Sequence, residues 1–276
     1  IKDKGLQKQF YINNNIPTSP FELTTENTDT DYLKSKIPFV HKLRTGGYDG
    51  RGVELIKGEN DLKHAFKAPA ILEELVPFEK ELSVIVARNK KGETAVYQTV
   101  ECEFNEVNLV AFLFSPANIS SDIEKRATEL AIDVINKLEM VGILAVELFL
   151  LSDGTLLVNE VAPRPHNSGH HTIECNVTSQ FEQHMRSVLN LPLGSTEMIR
   201  EGAMINLLGE VGYTGRAHYE GLEEVMGMPG VHIHLYGKKD TKPNRKMGHI
   251  TVAQKNINDA KRVANEVKGK IRVITK

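Results

Sequence analysis

The chain has 276 residues, of which 40% are hydrophobic and 25% charged, and its formal net charge is −2. That describes a globular protein of one or two domains, and it supplies no global basic field for a nucleic-acid partner. Two cysteines, Cys102 and Cys175, do not make a disulfide-stapled fold, and no apolar run reaches the roughly 18–20 residues that a bilayer requires.

The chain opens on Ile with the charged run IKDKGLQKQF, which lacks the apolar core of a signal segment. A cytoplasmic setting is expected. The Ile start reads as a piece of a longer protein.

Residues 4–14 read as a helix, and the two prolines of IPTSPF then enforce extended backbone. IPFVHKL (37–43) is a short apolar run ending in charge, expected as a strand. TGGYDGRG (45–52) follows, VELI returns as a strand, and DLKHAFK suggests a helix. AILEELV is an apolar run interrupted by two acids, and ELSVIVAR and ETAVYQTV flank NKKG as a hairpin. Residues 107–114 suggest one more strand. The clearest helix is 121–140: Ser121 and Glu124 fit a capping box, and Ile123, Ala127, Leu130, Ala131, Val134 and Leu138 trace one face.

GILAVELFL and TLLVNEVA then read as strands around SDG, and TSQFEQHMRSVLNL as an amphipathic helix. From about Gly202 the pattern changes to short strands and turns, ending in a helix and a strand. Hairpins mixed with helices favour an α+β fold over a regular βαβ alternation. The expected division is 1–195, with a lid subdomain at about 26–72, and a small C-terminal unit at 196–276.

Asp153-Gly154 between two apolar runs is a favoured two-residue hairpin turn. If Ser152 pairs with Thr155, Glu147 lies across from Glu160, with Cβ atoms about 4.5–5.5 Å apart. Two facing carboxylates repel, and a divalent cation such as Mg²⁺ resolves this together with phosphate oxygens. The alternatives are that each Glu pairs with a Lys or Arg, or that a register slip separates them. Asn159 is adjacent, but strand parity sends it to the other face unless the strand is distorted.

TGGYDGRG places four Gly in eight residues, including Gly47 and Gly50, so its backbone N–H groups could cradle phosphate. It has neither the G-x-x-x-x-G-K-[ST] nor the G-x-G-x-x-G spacing. A flexible hairpin tip explains it as well. Lys42, just upstream, could place a point charge on a phosphate. The acids of ILEELVPFEKELS could serve a nucleotide's ribose, although loop acids are usually solvated. The spacing of His166, His170 and His171 alone could suggest zinc, but no cysteine set or H-E-x-x-H accompanies it.

Together these pieces resemble the ATP-grasp superfamily. HKLRTGGYDGRG, GILAVELFL, NEVAPRPHNSGHHT and NRKMGH resemble the 5-(carboxyamino)imidazole ribonucleotide synthases of purine biosynthesis more closely. The resemblance covers essentially the whole chain, with the family's N-terminal domain absent. It implies an ATP-dependent carbon–nitrogen ligase that uses ATP, Mg²⁺ (or Mn²⁺), bicarbonate and aminoimidazole ribonucleotide, as a homodimer.

In that family Lys4 and Lys42 would meet the ATP phosphates, Glu73, Glu74 and Val76 the adenine, and Glu81 the ribose. Glu147 and Glu160 would hold Mg²⁺, with Asn159 beside them. Tyr48, Asp49 and Arg51 belong to the loop closing over bicarbonate and nucleotide substrate. Arg164 and His166 match the bicarbonate and aminoimidazole pocket, and Lys238, Arg245 and Lys246 the segment meeting the substrate phosphate. The run departs from the family in HKL, where a Lys-Thr pair is commoner, and in Pro165. The alternatives are another ATP-grasp ligase, such as a formate-dependent glycinamide ribonucleotide transformylase or a biotin carboxylase, or a non-catalytic nucleotide-binding fragment.

Overall fold

The computed structural model describes residues 2–47, 52–104 and 110–276. Three sheets carry the fold. The first is four-stranded, in the order Phe21–Thr24, Ala70–Glu74, Phe39–Leu43, Val53–Ile56. It closes over its own core of Leu33, Phe39, Ile56 and Leu72. The segment DLKHAFK falls largely in a 3-10 helix, Glu59–His64, rather than an α-helix.

The second sheet is nine-stranded and runs Leu156–Ala162, Gly142–Leu151, Phe78–Arg88, Val100–Phe104, Val110–Ser115, Glu201–Leu208, Lys246–Gln254, Val231–Leu235, with Thr94–Val96 on Phe78–Arg88. The third joins Asp240–Thr241, Gly215–Glu220 and Arg272–Thr275. The nine-stranded sheet crosses the expected division at 195/196. Gly202 pairs with Ser115 and Ile205 with Phe112, so the C-terminal strands extend the same ladder.

Strand parity decides where chemistry can sit. On Gly142–Leu151, the residues Leu144, Val146, Leu148 and Leu150 enter one core with Leu82, Val84 and Val86. The helix Ser121–Lys137 covers that face with Ala127, Ala131, Val134 and Ile135. Each fully buried Leu, Ile or Val side chain there contributes about 1.5–3 kcal/mol. The N-cap is Ser120, whose hydroxyl accepts the Ile123 N–H, not Ser121. Glu124 instead accepts the backbone N–H of Thr99 at 3.0 Å.

The opposite face of these strands begins apolar, with Ile85, Ala87, Ile143 and Ala145 packed together. Continuing along it by twos gives Ser83 and Glu81 on one strand and Glu147 on its neighbour. Ser83 pairs with Glu147 and Glu81 with Phe149. One sheet face therefore changes from core to carboxylates within a few residues.

The C-terminal helix Ile257–Lys270 starts at the Asn256 cap and buries Ala260, Val263, Ala264 and Val267 on strands Glu201–Leu208 and Lys246–Gln254. Among the described residues, no helix is long and apolar enough to cross a membrane.

Candidate active site

The hairpin that presents the carboxylates is built differently from the two-residue turn expected at Asp153-Gly154. The Leu151 N–H donates to Thr155 O at 2.9 Å and the Gly154 N–H to Leu151 O at 2.9 Å. The loop is thus three residues, Ser152 to Gly154, with Gly154 at φ +82° supplying the left-handed position such a loop needs. Asp153 Oδ1 stabilises it by accepting the Thr155 N–H at 2.8 Å.

Pairing then runs one residue off the expected register, Leu156 with Leu150 and Val158 with Leu148. A β-bulge between Val158 and Glu160 makes up the difference, and Glu160 does pair with Glu147. Without the bulge, Val158 and Glu160 would share a face, and Val158 lies in the helix-covered core. The extra residue is Asn159. A bulge leaves one residue unpaired and re-aims its neighbours, so Asn159 also reaches the cleft, where its Oδ1 accepts from Lys42 Nζ at 2.9 Å.

Around the pair, Lys4 Nζ forms an ion pair with Glu160 Oε2, and His166 Nε2 lies 3.4 Å from Glu147 Oε1. Burial, then repulsion from Glu160 and Glu81, pushes the Glu147 carboxyl up to about 7 against the pull of Lys4 and Lys42. Burial likewise raises Glu81 to about 7, with Lys42 opposing. Burial outweighs the nearby lysines at both acids. Among the described residues no cluster of three or more His, Cys, Asp or Glu could hold a metal. A cation at Glu147 and Glu160 would therefore complete its shell with phosphate and water oxygens, the preference of Mg²⁺.

Glu73 and Glu74, expected at an adenine hinge, divide by parity. Glu73 is buried, with Lys8 Nζ 2.7 Å from Oε1 and Lys42 Nζ 2.5 Å from Oε2. Glu74 points outward, its N–H donating to Pro20 O at 3.0 Å. Val76 follows in the short link to the strand Phe78–Arg88. Gly47 is the last described residue before the loop tip, and Tyr48, Asp49, Gly50 and Arg51 lie outside the described residues.

Past the bulged strand, the run from Pro163 to Cys175 is held by Gln180, which is fully buried. Its Oε1 accepts the His166 N–H at 2.8 Å and its Nε2 donates to His166 O at 2.7 Å. His166 Nδ1 lies 2.9 Å from Ser168 Oγ, itself 2.7 Å from Ser83 Oγ.

Arg164 and His166 line a cavity whose far wall includes Tyr236, Lys238, Lys246 and His249. Lys238 Nζ donates to the Lys246 carbonyl. Arg245 is turned away onto Asp240 O at 2.7 Å and is absent from the described wall. The structure thus unites Lys4, Lys42, Glu73, Glu81, Glu147, Asn159 and Glu160 in one cleft, and joins Arg164 and His166 to Lys238 and Lys246 beside it.

Two features escaped the sequence reading. A stack of imidazoles crosses the cavity wall, His170 on His249 and His249 on His234, each at 4.4 Å. Tyr236 Oη lies 3.0 Å from His249 Nδ1, and His234 Nε2 lies 2.7 Å from Glu174 Oε1. His171 faces the core instead, 1% exposed, and burial lowers its pKa to about 4. The other missed residue is Lys8. Its only signal is the four-residue spacing from Lys4, which puts two cations on one helix face.

A cleft between a four-stranded sheet and a carboxylate-bearing hairpin, with lysines on both sides, defines the ATP-grasp class, and the ATP-grasp domain family matches residues 9–181. The phosphoribosylaminoimidazole carboxylase C-terminal domain family matches residues 202–263. The N5-carboxyaminoimidazole ribonucleotide synthetase structure from Thermotoga maritima superposes with a TM-score of 0.91 at 46% identity, covering 100% of this chain and 73% of that one. The chain belongs to the N5-carboxyaminoimidazole ribonucleotide synthase family.

A structure from Aspergillus clavatus, a synthase in complex with ADP and 5-aminoimidazole ribonucleotide, matches with a TM-score of 0.87 at 31% identity over 98% of this chain and 74% of that one. The Bacillus subtilis synthase is 44% identical over 220 residues, 78% of this chain and 56% of the relative. The Ogataea methanolica phosphoribosylaminoimidazole carboxylase is 36% identical over 98% of this chain and 51% of its own length. The chain thus spans about half the length of these curated relatives.

Proposed function

We propose that the protein to which this chain belongs carboxylates aminoimidazole ribonucleotide to 5-(carboxyamino)imidazole ribonucleotide, with ATP and bicarbonate consumed and ADP and phosphate formed. The observation that carries this reading is the junction at His166. Its ring touches the carboxylate Glu147, and its backbone segment opens into the cavity of Arg164, Lys238 and Lys246. A phosphoryl donor and a phosphate-bearing acceptor would meet there. The Aspergillus clavatus relative in complex with ADP and 5-aminoimidazole ribonucleotide supports the same pair of ligands.

In this reading Lys4 and Lys42 bind the ATP phosphates, the link after Glu74 receives the adenine, and Glu81 accepts ribose hydroxyls. Mg²⁺ held by Glu147 and Glu160 would neutralise phosphate charge during transfer. A bicarbonate oxygen attacks the γ-phosphorus as ADP departs. The resulting carboxyphosphate, or CO₂ from it, is attacked by the exocyclic amine, which loses a proton as phosphate leaves. Phosphoryl transfer depends on positioning and charge neutralisation.

Arg164 can fork onto bicarbonate or phosphate oxygens, and Gln180 fixes the backbone that aims His166. Lys238 and Lys246 receive the substrate phosphate. Tyr48, Asp49 and Arg51 retain their role in loop closure as part of the proposal. The homodimer and the cytoplasmic setting rest on family membership.

Phosphate release by the full-length protein tests the proposal. It should require both bicarbonate and aminoimidazole ribonucleotide. Release at the same rate without the imidazole substrate would assign the site to another ATP-grasp ligase.

A further inference from the structure

Lys8 is the most enclosed cation of the cleft, 2% exposed, and the proposed chemistry leaves it without a task. Its ammonium has three donors. They meet Thr18 Oγ1 at 2.7 Å, Ser19 Oγ at 2.8 Å and Glu73 Oε1 at 2.7 Å. Nothing remains to offer a nucleotide. Lys42 differs: Glu73 Oε2 at 2.5 Å and Asn159 Oδ1 at 2.9 Å occupy two of its donors, and its third has no protein partner among the described residues.

We infer that Lys8 is a positioning residue that neutralises Glu73, so that the buried Lys8–Glu73–Lys42 triad keeps one net positive charge for nucleotide phosphate. The inference rests on the proposed reading that Lys42 meets those phosphates. Two lysines share one carboxylate, and the surplus sits on Lys42, the member facing the cleft.

Without Lys8 the triad is neutral, and Glu73 turns its whole charge on Lys42. In the intact triad burial raises the Glu73 pKa, but Lys42 and Lys8 more than offset this, and the net direction is down.

The surroundings fix the triad. Lys8 lies on the first helix, Lys4–Asn13, and Glu73 and Lys42 on adjacent strands of the four-stranded sheet. Thr18 also donates to Val158 O at 2.7 Å, one residue before the bulge that presents Asn159. The same contacts that hold Lys8 thus register Lys42 against the carboxylate hairpin.

The test is ADP binding, read by calorimetry or a fluorescent ADP analogue, on this chain and two variants: Lys8→Met, and Lys8→Met with Glu73→Gln. Lys8→Met should weaken ADP binding at least tenfold. The double variant removes both buried charges, a change that is often neutral for stability, and leaves Lys42 cationic. It should recover to within about threefold of the unaltered chain. The double variant supplies the test should Lys8→Met not fold.

Unchanged affinity in Lys8→Met, or a tenfold loss in the double variant, would each overturn the inference. A generic packing defect would not be rescued by the second substitution. Absence of ADP binding by the unaltered chain would instead count against the nucleotide-site reading itself.

Discussion

Glu147 and Glu160 face each other because two irregularities cancel. A three-residue loop displaces the hairpin register by one, and the bulge at Asn159 restores it. The carboxylate pair is thus an exception to the hairpin's own periodicity, and the bulge places a third polar group, Asn159, in reach of Lys42.

Replacing Glu160 by Gln keeps the shape of the pair and removes one charge. We expect phosphate release to fall by about 100-fold, the usual scale for losing one charge-stabilising group. The unfolding midpoint should stay within a few degrees, since Glu160 is exposed enough to remain solvated. Turnover at the original rate would dismiss the metal role of this pair.

Asn159→Ala leaves the carboxylates in place and removes one hydrogen bond to Lys42. A bond to a charged donor contributes about 1.5–3 kcal/mol. The Michaelis constant for ATP should rise by roughly tenfold or more, with little change in kcat. A change confined to kcat would mean that the bulge matters for chemistry rather than for holding Lys42.

Glu147 sits at about 7 in the metal-free protein, so it carries a proton in a sizeable fraction of molecules near neutrality. A divalent cation favours the charged form, and binding of Mg²⁺ with ADP should therefore release protons. Calorimetry in buffers of different ionisation enthalpy should show this release at pH 6–7 and its decline by pH 8.5. Heats independent of the buffer at pH 6.5 would refute the assignment.

The imidazole stack makes an opposite demand. Burial first lowers both, His170 to about 4, with Lys246 next, and His249 to about 3, with the adjoining imidazoles next. Both therefore remain neutral in the fold at pH values where the unfolded chain is already protonated. Their contribution is fully present above pH 6.5 and is lost progressively toward pH 4 and below. The thermal midpoint should fall over that range, and His249→Phe, which retains a ring for stacking, should make the fall shallower. An identical slope in the variant would remove His249 from the account.

The sequence pattern made some of this legible and hid the rest for physical reasons. The helix Ser121–Lys137 announced itself because its buried face repeats with the helical period and its start carries serines. The cap fell one residue earlier than expected because Ser120 and Ser121 are chemically equivalent, and only backbone direction separates them.

The Glu147–Glu160 pair was anticipated through a turn that the chain does not use. Nothing in LLVNEVA distinguishes a bulged strand from a regular one, since the distortion is set by what lies on the two faces. Lys8 stayed hidden because its partners come from segments distant along the chain. The resemblance groups Arg245 with Lys246, yet successive residues of an extended chain point to opposite sides, and its guanidinium goes to Asp240 O.

The unbroken ladder through Val110–Ser115 and Glu201–Leu208 has a further consequence for anyone dividing the molecule. Cutting after residue 195 would strip the partner from an apolar strand, VAFLFS, whose Leu113 and Phe114 are buried. A bared edge of that composition recruits other chains. The shortened product should precipitate rather than serve as a minimal nucleotide-binding piece, and the C-terminal strands act as the seal that keeps the larger part soluble.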